Sequence, residues 1–164
     1  MSPRNRSGVQ RVARIAADHG VDYCLEVLNR FEGYLLNTAA EAREFVAQVG
    51  EPNVKVMLDT FHMNIEEENL LDAIRLAGDA LGHVHVGENN RRLPGPGGLP
   101  WASIGGALRE VGYTGHVVME PFVLMGGRVG DDIKVWRDLA PGKTEADLDA
   151  DAAASLRYLK DAFA

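Results

Sequence analysis

A chain of 164 residues with 46% hydrophobic content is long enough to bury one core, and its formal charge of -7 at pH 7 argues against the basic footprint that nucleic-acid binding needs. No apolar run approaches the roughly 20 residues of a membrane span, and the first residues lack the apolar stretch of a signal peptide. The expectation is a cytoplasmic protein with a small-molecule partner, no nucleic acid and no membrane; the single cysteine, Cys24, reads as a small buried hydrophobe.

Residues 1–6 (MSPRNR) read as a frayed basic lead-in, with Ser7 predicted to cap a helix that runs to about residue 19 and stops at Gly20. A strand follows over about 21–28. The spacing of Ala39, Ala42, Phe45, Val46 and Val49 predicts a helix over about 38–49, closed by Gly50 with Pro52 behind it. A second strand is predicted over 54–58. Glu66, Glu67 and Glu68 then read as a solvated face ahead of a helix near 70–77, where negative charge suits a helix N-terminus.

A third strand over 83–86 runs into the Pro/Gly-rich loop LPGPGGLPW, residues 93–101, a length and placement typical of substrate contacts. A helix over 101–111 ends at Gly112, and a fourth strand spans 116–119. After Phe122 come a glycine-rich loop (Gly126, Gly127, Gly130), a short segment around Trp136 and a closing helix over 145–163. The loop lacks the spacing of a phosphate cradle, so no phosphorylated substrate is expected. Met57, Met63, Met119 and Met125 read as core filler, and Trp101 either lines a pocket mouth or packs over the loop before it.

Four residues stand at or near the ends of these four strand-like runs: Glu26 in YCLEVLN, Asp59 in VKVMLDT, His85 in HVHVGEN and Glu120 in HVVMEPF. In parallel α/β architecture, polar residues at the C-terminal strand ends converge on one mouth. One such glutamate alone is ordinarily a solvated charge; four ligand-type residues in series point to a divalent-metal site. Three carboxylates and one imidazole suit Mn²⁺, Mg²⁺ or Co²⁺ better than a structural zinc. His83 shares a face with His85 and reads as a packed neighbour. His62, three residues past Asp59, either contacts substrate or supports the site, while Arg91 binds a substrate oxygen or pairs with Glu88.

The segments LEVLNRFE, VMLDTFHMNIEE, HVHVGENNR, LPW and VVMEPF, in this order from about residue 10 onward, resemble the ketose 3-epimerases. These are the D-tagatose and D-psicose (allulose) 3-epimerase group of the sugar phosphate isomerase/epimerase, xylose isomerase-like TIM-barrel superfamily. The resemblance implies an α/β fold of TIM-barrel type, with about four βα units corresponding to strands 5–8 of a (β/α)8 barrel and residues 1–164 forming one partial barrel domain. It implies one divalent cation, Mn²⁺ first and Co²⁺ or Mg²⁺ next, held by Glu26, Asp59, His85 and Glu120. It also implies Glu26 and Glu120 as an acid/base pair for C3 epimerisation of a free ketohexose of the D-tagatose, D-fructose or D-psicose type. Glu32, His62 and Arg91 fall on sugar-contacting positions.

A full barrel needs about 250 residues. Four parallel strands standing alone would leave two open edges, so a second copy of the chain is the expected partner. Other enzymes of the superfamily stay open, such as a hydroxypyruvate isomerase or an inosose dehydratase, as does an inactive fragment. The acidic balance and only five histidines speak against a multi-metal endonuclease of the same superfamily.

Overall fold

The computed structural model describes residues 3–164, so the first two residues of the lead-in expected from sequence lie outside the described part. The rest of that lead-in is helical. Helix α1 spans Pro3–Asp18, and Ser7 lies inside it, its hydroxyl donating to the Arg4 carbonyl at 3.0 Å instead of capping. Proline suits a first helical turn, where its missing N–H would have no partner anyway.

Strand β1 (Tyr23–Glu26) is shorter than the sequence suggested. Helix α2 (Ala39–Val49) starts in a capping box: the Thr38 hydroxyl accepts from the Glu41 amide and the Glu41 carboxylate accepts from the Thr38 amide. It closes on Gly50, whose φ of 71° favours glycine. Then follow β2 (Val54–Asp59), α3 (Thr60–Glu66), α4 (Leu70–Ala77), β3 (Leu81–Val86) and α5 (Trp101–Glu110). The chain ends with β4 (Val117–Met119), the short α6 (Gly127–Asp132) and α7 (Glu145–Ala162).

The four strands form one parallel sheet in chain order, β1-β2-β3-β4. Parallel neighbours require crossovers, and the helices between them cover one face of the sheet. On that face Val54, Val56 and Leu58 of β2 and Val84 and Val86 of β3 are almost wholly buried. They pack with Ala39, Ala42, Phe45 and Val49 of α2, Ala73, Ile74 and Ala77 of α4, and Ile104, Ala107 and Leu108 of α5. Strand alternation then assigns the other face to Cys24 and Glu26, to Lys55, Met57 and Asp59, and to His83 and His85. One bulge interrupts the ladder, because Val56 pairs with Leu81 while the next residue, Met57, pairs with His83. The skipped Gly82 is the extra residue, and a side chain there would strike Lys55 and Cys24.

Other expectations are corrected. Helix α3 was not anticipated. Its neighbours Glu66 and Glu67 are also not a solvated face: the Glu66 carboxylate accepts from the Arg30 amide at 2.6 Å and from its guanidinium at 2.7 Å, and Glu67 accepts from the Ala39 amide at 2.7 Å. These carboxylates tie the loop after β1 and the start of α2 to the end of α3, leaving Glu68 exposed. Met63 is buried as expected, but Met125 is 55% exposed, because the loop after β4 has no core beneath it.

Among the described residues β1 and β4 each carry one edge without a strand partner. The chain exposes 9459 Å², whereas a folded monomer of its 17.8 kDa exposes about 8000 Å². No helix among the described residues is long and apolar enough to cross a membrane.

Two adjacent glycines on α5 test the packing. A Cβ on Gly105 would lie 2.8 Å from the Phe163 ring and 3.0 Å from its Cα, whereas one on Gly106 meets nothing nearer than 4.0 Å. Urea titrations of the single variants are expected to show Gly105→Ala losing about 1–3 kcal/mol by overpacking. Gly106→Ala is expected to gain about 0.5–1 kcal/mol from helix propensity.

Candidate metal centre

The four strands deliver their terminal polar residues to one place. Glu26 is the last residue of β1, Asp59 the last of β2, His85 the penultimate residue of β3, and Glu120 follows β4 directly. Register fixes the neighbours, with Asp59 opposite His85 across the β2–β3 ladder. One ligand atom from each of Glu26, Asp59, His85 and Glu120 lies within 4.8 Å of the other three. That spread suits a single ion bound by all four groups.

Asp59 is wholly buried and divides its two oxygens between tasks. Its Oδ1 accepts from the Phe61 amide at 2.7 Å and the His62 amide at 3.1 Å, which caps α3. Its Oδ2 is buried without a hydrogen-bond partner, and so is Nδ1 of His85, which faces Glu120 Oε2 at 3.4 Å. Leaving such atoms unpaired costs about 1–3 kcal/mol each, more for a charged group. A cation among them would satisfy both, so the donor set fits a divalent metal on the chain's own geometry.

The electrostatics agree with this. Burial first, then the nearby Glu120 and Asp59 carboxylates, push the Glu26 carboxyl up to about 7, against the weaker pull of His85 and Arg91. A site with excess negative charge retains a proton until a cation replaces it.

The three positions expected to contact a sugar surround this cluster. Arg91 Nη2 donates to both oxygens of Glu32, at 2.6 and 2.7 Å. Its guanidinium lies over the Phe61 ring at 3.8 Å and near the Phe122 ring at 4.9 Å. Arg91 Nη1 stands 4.0 Å from Glu120 Oε2. The Arg91 backbone has φ of 67°, unusual for a non-glycine residue. It is held there because its amide donates to the Glu88 carbonyl and its carbonyl accepts from the Phe122 amide. His62 is buried, its pKa lowered chiefly by that burial, and its Nε2 stands 3.9 Å from Glu26 Oε1. Beside Arg91 a cleft of about 460 Å³ opens, lined by Glu32, Phe61, Phe122, Val135 and Trp136 among others.

The Glu88 carboxylate is not the partner of the Arg91 guanidinium. Glu88 is buried, and its carboxylate accepts from Trp101 Nε1 at 2.7 Å and from the Gly98 amide at 3.1 Å. Trp101 therefore packs beneath the 93–101 loop instead of at a pocket mouth. His83 stacks edge-on against His85 with ring centroids 5.1 Å apart. Sequence reasoning missed Asn29, a buried residue that bonds to both His62 and Glu32. The available signal was an asparagine between strand and helix, and that alone reads as an ordinary turn.

Comparison with known proteins agrees with this geometry. Residues 3–162 match the family model described as xylose isomerase-like TIM barrel. The D-psicose 3-epimerase of Agrobacterium fabrum is 58% identical over 155 residues, which cover 94% of this chain and 54% of that enzyme. An L-ribulose 3-epimerase from Methylomonas is 39% identical over 135 residues, 81% of this chain and 47% of that protein. A crystal structure of D-psicose 3-epimerase with D-tagatose, from Clostridium cellulolyticum H10, superposes with a TM-score of 0.95 at 57% identity. It covers 98% of this chain and 55% of that one. The chain spans about half the length of the relatives it matches. With its four parallel strands, its strand-end polar cluster and these likenesses, the chain belongs to the xylose isomerase-like TIM-barrel family.

Proposed function

We propose that this chain carries the metal and acid/base centre of a ketose 3-epimerase acting on free ketohexoses of the D-tagatose, D-fructose and D-psicose type. The observation that carries the reading is the convergence of Glu26, Asp59, His85 and Glu120, with Asp59 Oδ2 and His85 Nδ1 left unpaired toward one another's neighbourhood. Those four residues would hold one divalent cation, Mn²⁺ by preference, with Co²⁺ or Mg²⁺ as substitutes. When bound, the cation supplies Lewis acidity to a carbonyl oxygen and neutralises charge on an adjacent hydroxyl.

Inverting the carbon beside a ketone requires a proton to leave one face, through an enediolate, and another to arrive on the opposite face. Two proton carriers on different sides of that carbon are therefore needed. Glu26 comes from one outer strand of the sheet and Glu120 from the end of the other. Burial and the neighbouring Glu120 and Asp59 carboxylates raise the proton affinity of Glu26, as suits a group that takes and returns a proton. Asp59 and His85, on the inner strands, act as anchors. The paired Glu32 and Arg91 offer an acceptor and donors to sugar hydroxyls, and the Phe61 and Phe122 rings hold the guanidinium in place.

The D-psicose names and the D-tagatose complex of the relatives support a ketohexose, and the L-ribulose relative supports inversion at C3 as the shared chemistry. The reading also includes a cytoplasmic setting and a second copy of the chain covering the open edges of β1 and β4. Exposed surface about 1500 Å² above the norm for its mass supports such a partner. Sedimentation velocity tests this part directly: a dimer is expected at micromolar concentration, and a monodisperse monomer overturns it.

The activity test is epimerisation of D-fructose, D-tagatose and D-psicose by the purified chain with Mn²⁺. Glu26→Gln and Glu120→Gln are each expected to lower kcat by about 10²–10⁴-fold. A parent chain that binds Mn²⁺ yet turns over none of the three sugars would refute the epimerase reading for this chain.

The raised Glu26 pKa predicts the pH dependence of metal binding. Since the proton must leave before the carboxylate can ligate, Mn²⁺ affinity measured by calorimetry is expected to rise up to about tenfold per pH unit below about 7 and to level off above it. Glu26→Gln should remove the part of that slope that Glu26 supplies.

Stability of the metal-free chain follows the same group with the opposite sign. A folded-state pKa raised above the unfolded value gives stability that is present at acid pH and lost as pH rises through about 7. Thermal melts in chelator at pH 6 and pH 8 are expected to show this contribution, with added Mn²⁺ reversing the loss at pH 8.

A further inference from the structure

We infer that Asn29 is a positioning residue that holds His62 as its Nε2–H tautomer, so that the imidazole presents a proton donor, not an acceptor, to the reacting sugar. The reference to a sugar rests on the epimerase reading above; the tautomer assignment does not.

The backbone N–H of Asn29 can only donate, and it points at His62 Nδ1 at 3.2 Å. The Asn29 side chain sends a second contact to the same nitrogen, with Nδ2 at 2.8 Å. The orientation of that amide is also determined. Its Oδ1 accepts from the Phe31 amide at 2.9 Å and the Glu32 amide at 3.2 Å, and a flipped amide would set N–H groups against both donors. Nδ2 therefore carries two hydrogens toward two acceptors, His62 Nδ1 and, at 2.9 Å, Glu32 Oε1. With two donors aimed at it, Nδ1 is the unprotonated nitrogen, and the neutral ring keeps its proton on Nε2.

That Nε2 faces Glu26 Oε1 across 3.9 Å. The gap is too long for a direct hydrogen bond, and one oxygen lying off the line between the two atoms could bond to both. A sugar hydroxyl there would receive a hydrogen bond from His62 and donate one to Glu26. With the proton on Nδ1 instead, Nε2 and Glu26 would both be acceptors, and a single hydroxyl could satisfy only one of them. Asn29 couples this choice to the Arg91 clamp, because the same Nδ2 steadies the Glu32 carboxylate to which Arg91 is bound. Asn29 is 1% exposed and touches no candidate ligand, so its part is to position groups that do the contacting.

The test is long-range ¹H–¹⁵N correlation NMR on chain labelled in its five histidines, metal-free and with Mg²⁺, with His62 assigned by loss of its signals in His62→Gln. A pyridine-type Nδ1 and a pyrrole-type Nε2 are expected in both states. A protonated Nδ1, or averaged shifts from a mixture of tautomers, would overturn the inference from the unaltered chain alone. Asn29→Asp keeps the Oδ1 acceptor but removes both side-chain donors, and should move His62 population toward Nδ1–H. An unchanged tautomer in that variant would show that the side chain does not select it. In a chain that turns over, Asn29→Asp is further expected to lower kcat/KM by about tenfold, one hydrogen bond's worth, with metal affinity preserved. The spectrum needs no turnover: a wrong tautomer sinks this inference alone, and a correct tautomer in a chain without turnover sinks the epimerase reading alone.

Discussion

Three carboxylates and an imidazole forced within 4.8 Å of one another are the constraint on which the rest of this structure turns. Without a cation, ionised carboxylates at such separations repel by a few kcal/mol per pair even at an effective dielectric near 20. A free carboxylate would relieve this by swinging into water. Asp59 cannot, because one of its oxygens is committed to the α3 amides and the residue is fully enclosed. The relief falls on Glu26, which retains a proton to about pH 7. The parallel sheet thus keeps that repulsion in place, and a cation among the four groups would remove it.

The surroundings show how rigidly this is done. Thr60 opens α3 directly after Asp59, and its hydroxyl donates to the Gly87 carbonyl while accepting from the Gly87 amide. This pair of bonds fastens the end of β2 to the end of β3, fixing the distance between Asp59 and His85. Beyond β3, Glu88 holds Trp101 and Gly98, so the long Pro/Gly loop is pinned at its base instead of hanging over the centre. The strained backbone of Arg91 is paid for by the bonds to Glu88 and Phe122 and by its seat on two aromatic rings. Each device acts through backbone groups or buried side chains, which water competes for least.

Some of this was legible in the sequence and some was not, for identifiable reasons. The ligand-type residues could be read because a strand of period two ending in a carboxylate or imidazole is a short-range pattern, and it occurs four times. Helix α2 carried an apolar stripe and a clear stop at Gly50. Helix α3 is only seven residues long, and its N-cap is Asp59 itself, so the residue read as a ligand concealed the helix signal. Glu66 and Glu67 looked solvated because their partners, Arg30 and Ala39, are 36 and 28 residues away in sequence. Asn29 was hidden for the same reason, since its partner His62 is 33 residues distant. Local pattern reveals which residues stand at the sheet's mouth; the bonds that orient them are long-range and belong to the folded state.

The inner and outer strands divide the chemistry unequally. Asp59 and His85, on β2 and β3, have neighbours on both sides, and their side chains are 0% and 17% exposed. Glu26 ends the outer strand β1, Glu120 follows the outer strand β4, and their side chains are 32% and 35% exposed. The surroundings of Asp59 and His85 are therefore set by this sheet alone, while those of Glu26 and Glu120 depend on what lies along the two edges. Burial is already the largest cause of the raised Glu26 pKa, so any chain laid along β1 would remove more water and raise it further until the metal compensates. Covering that edge would thus do more than hide backbone groups: it would act on the Glu26 carboxyl and leave the already enclosed Asp59 unchanged.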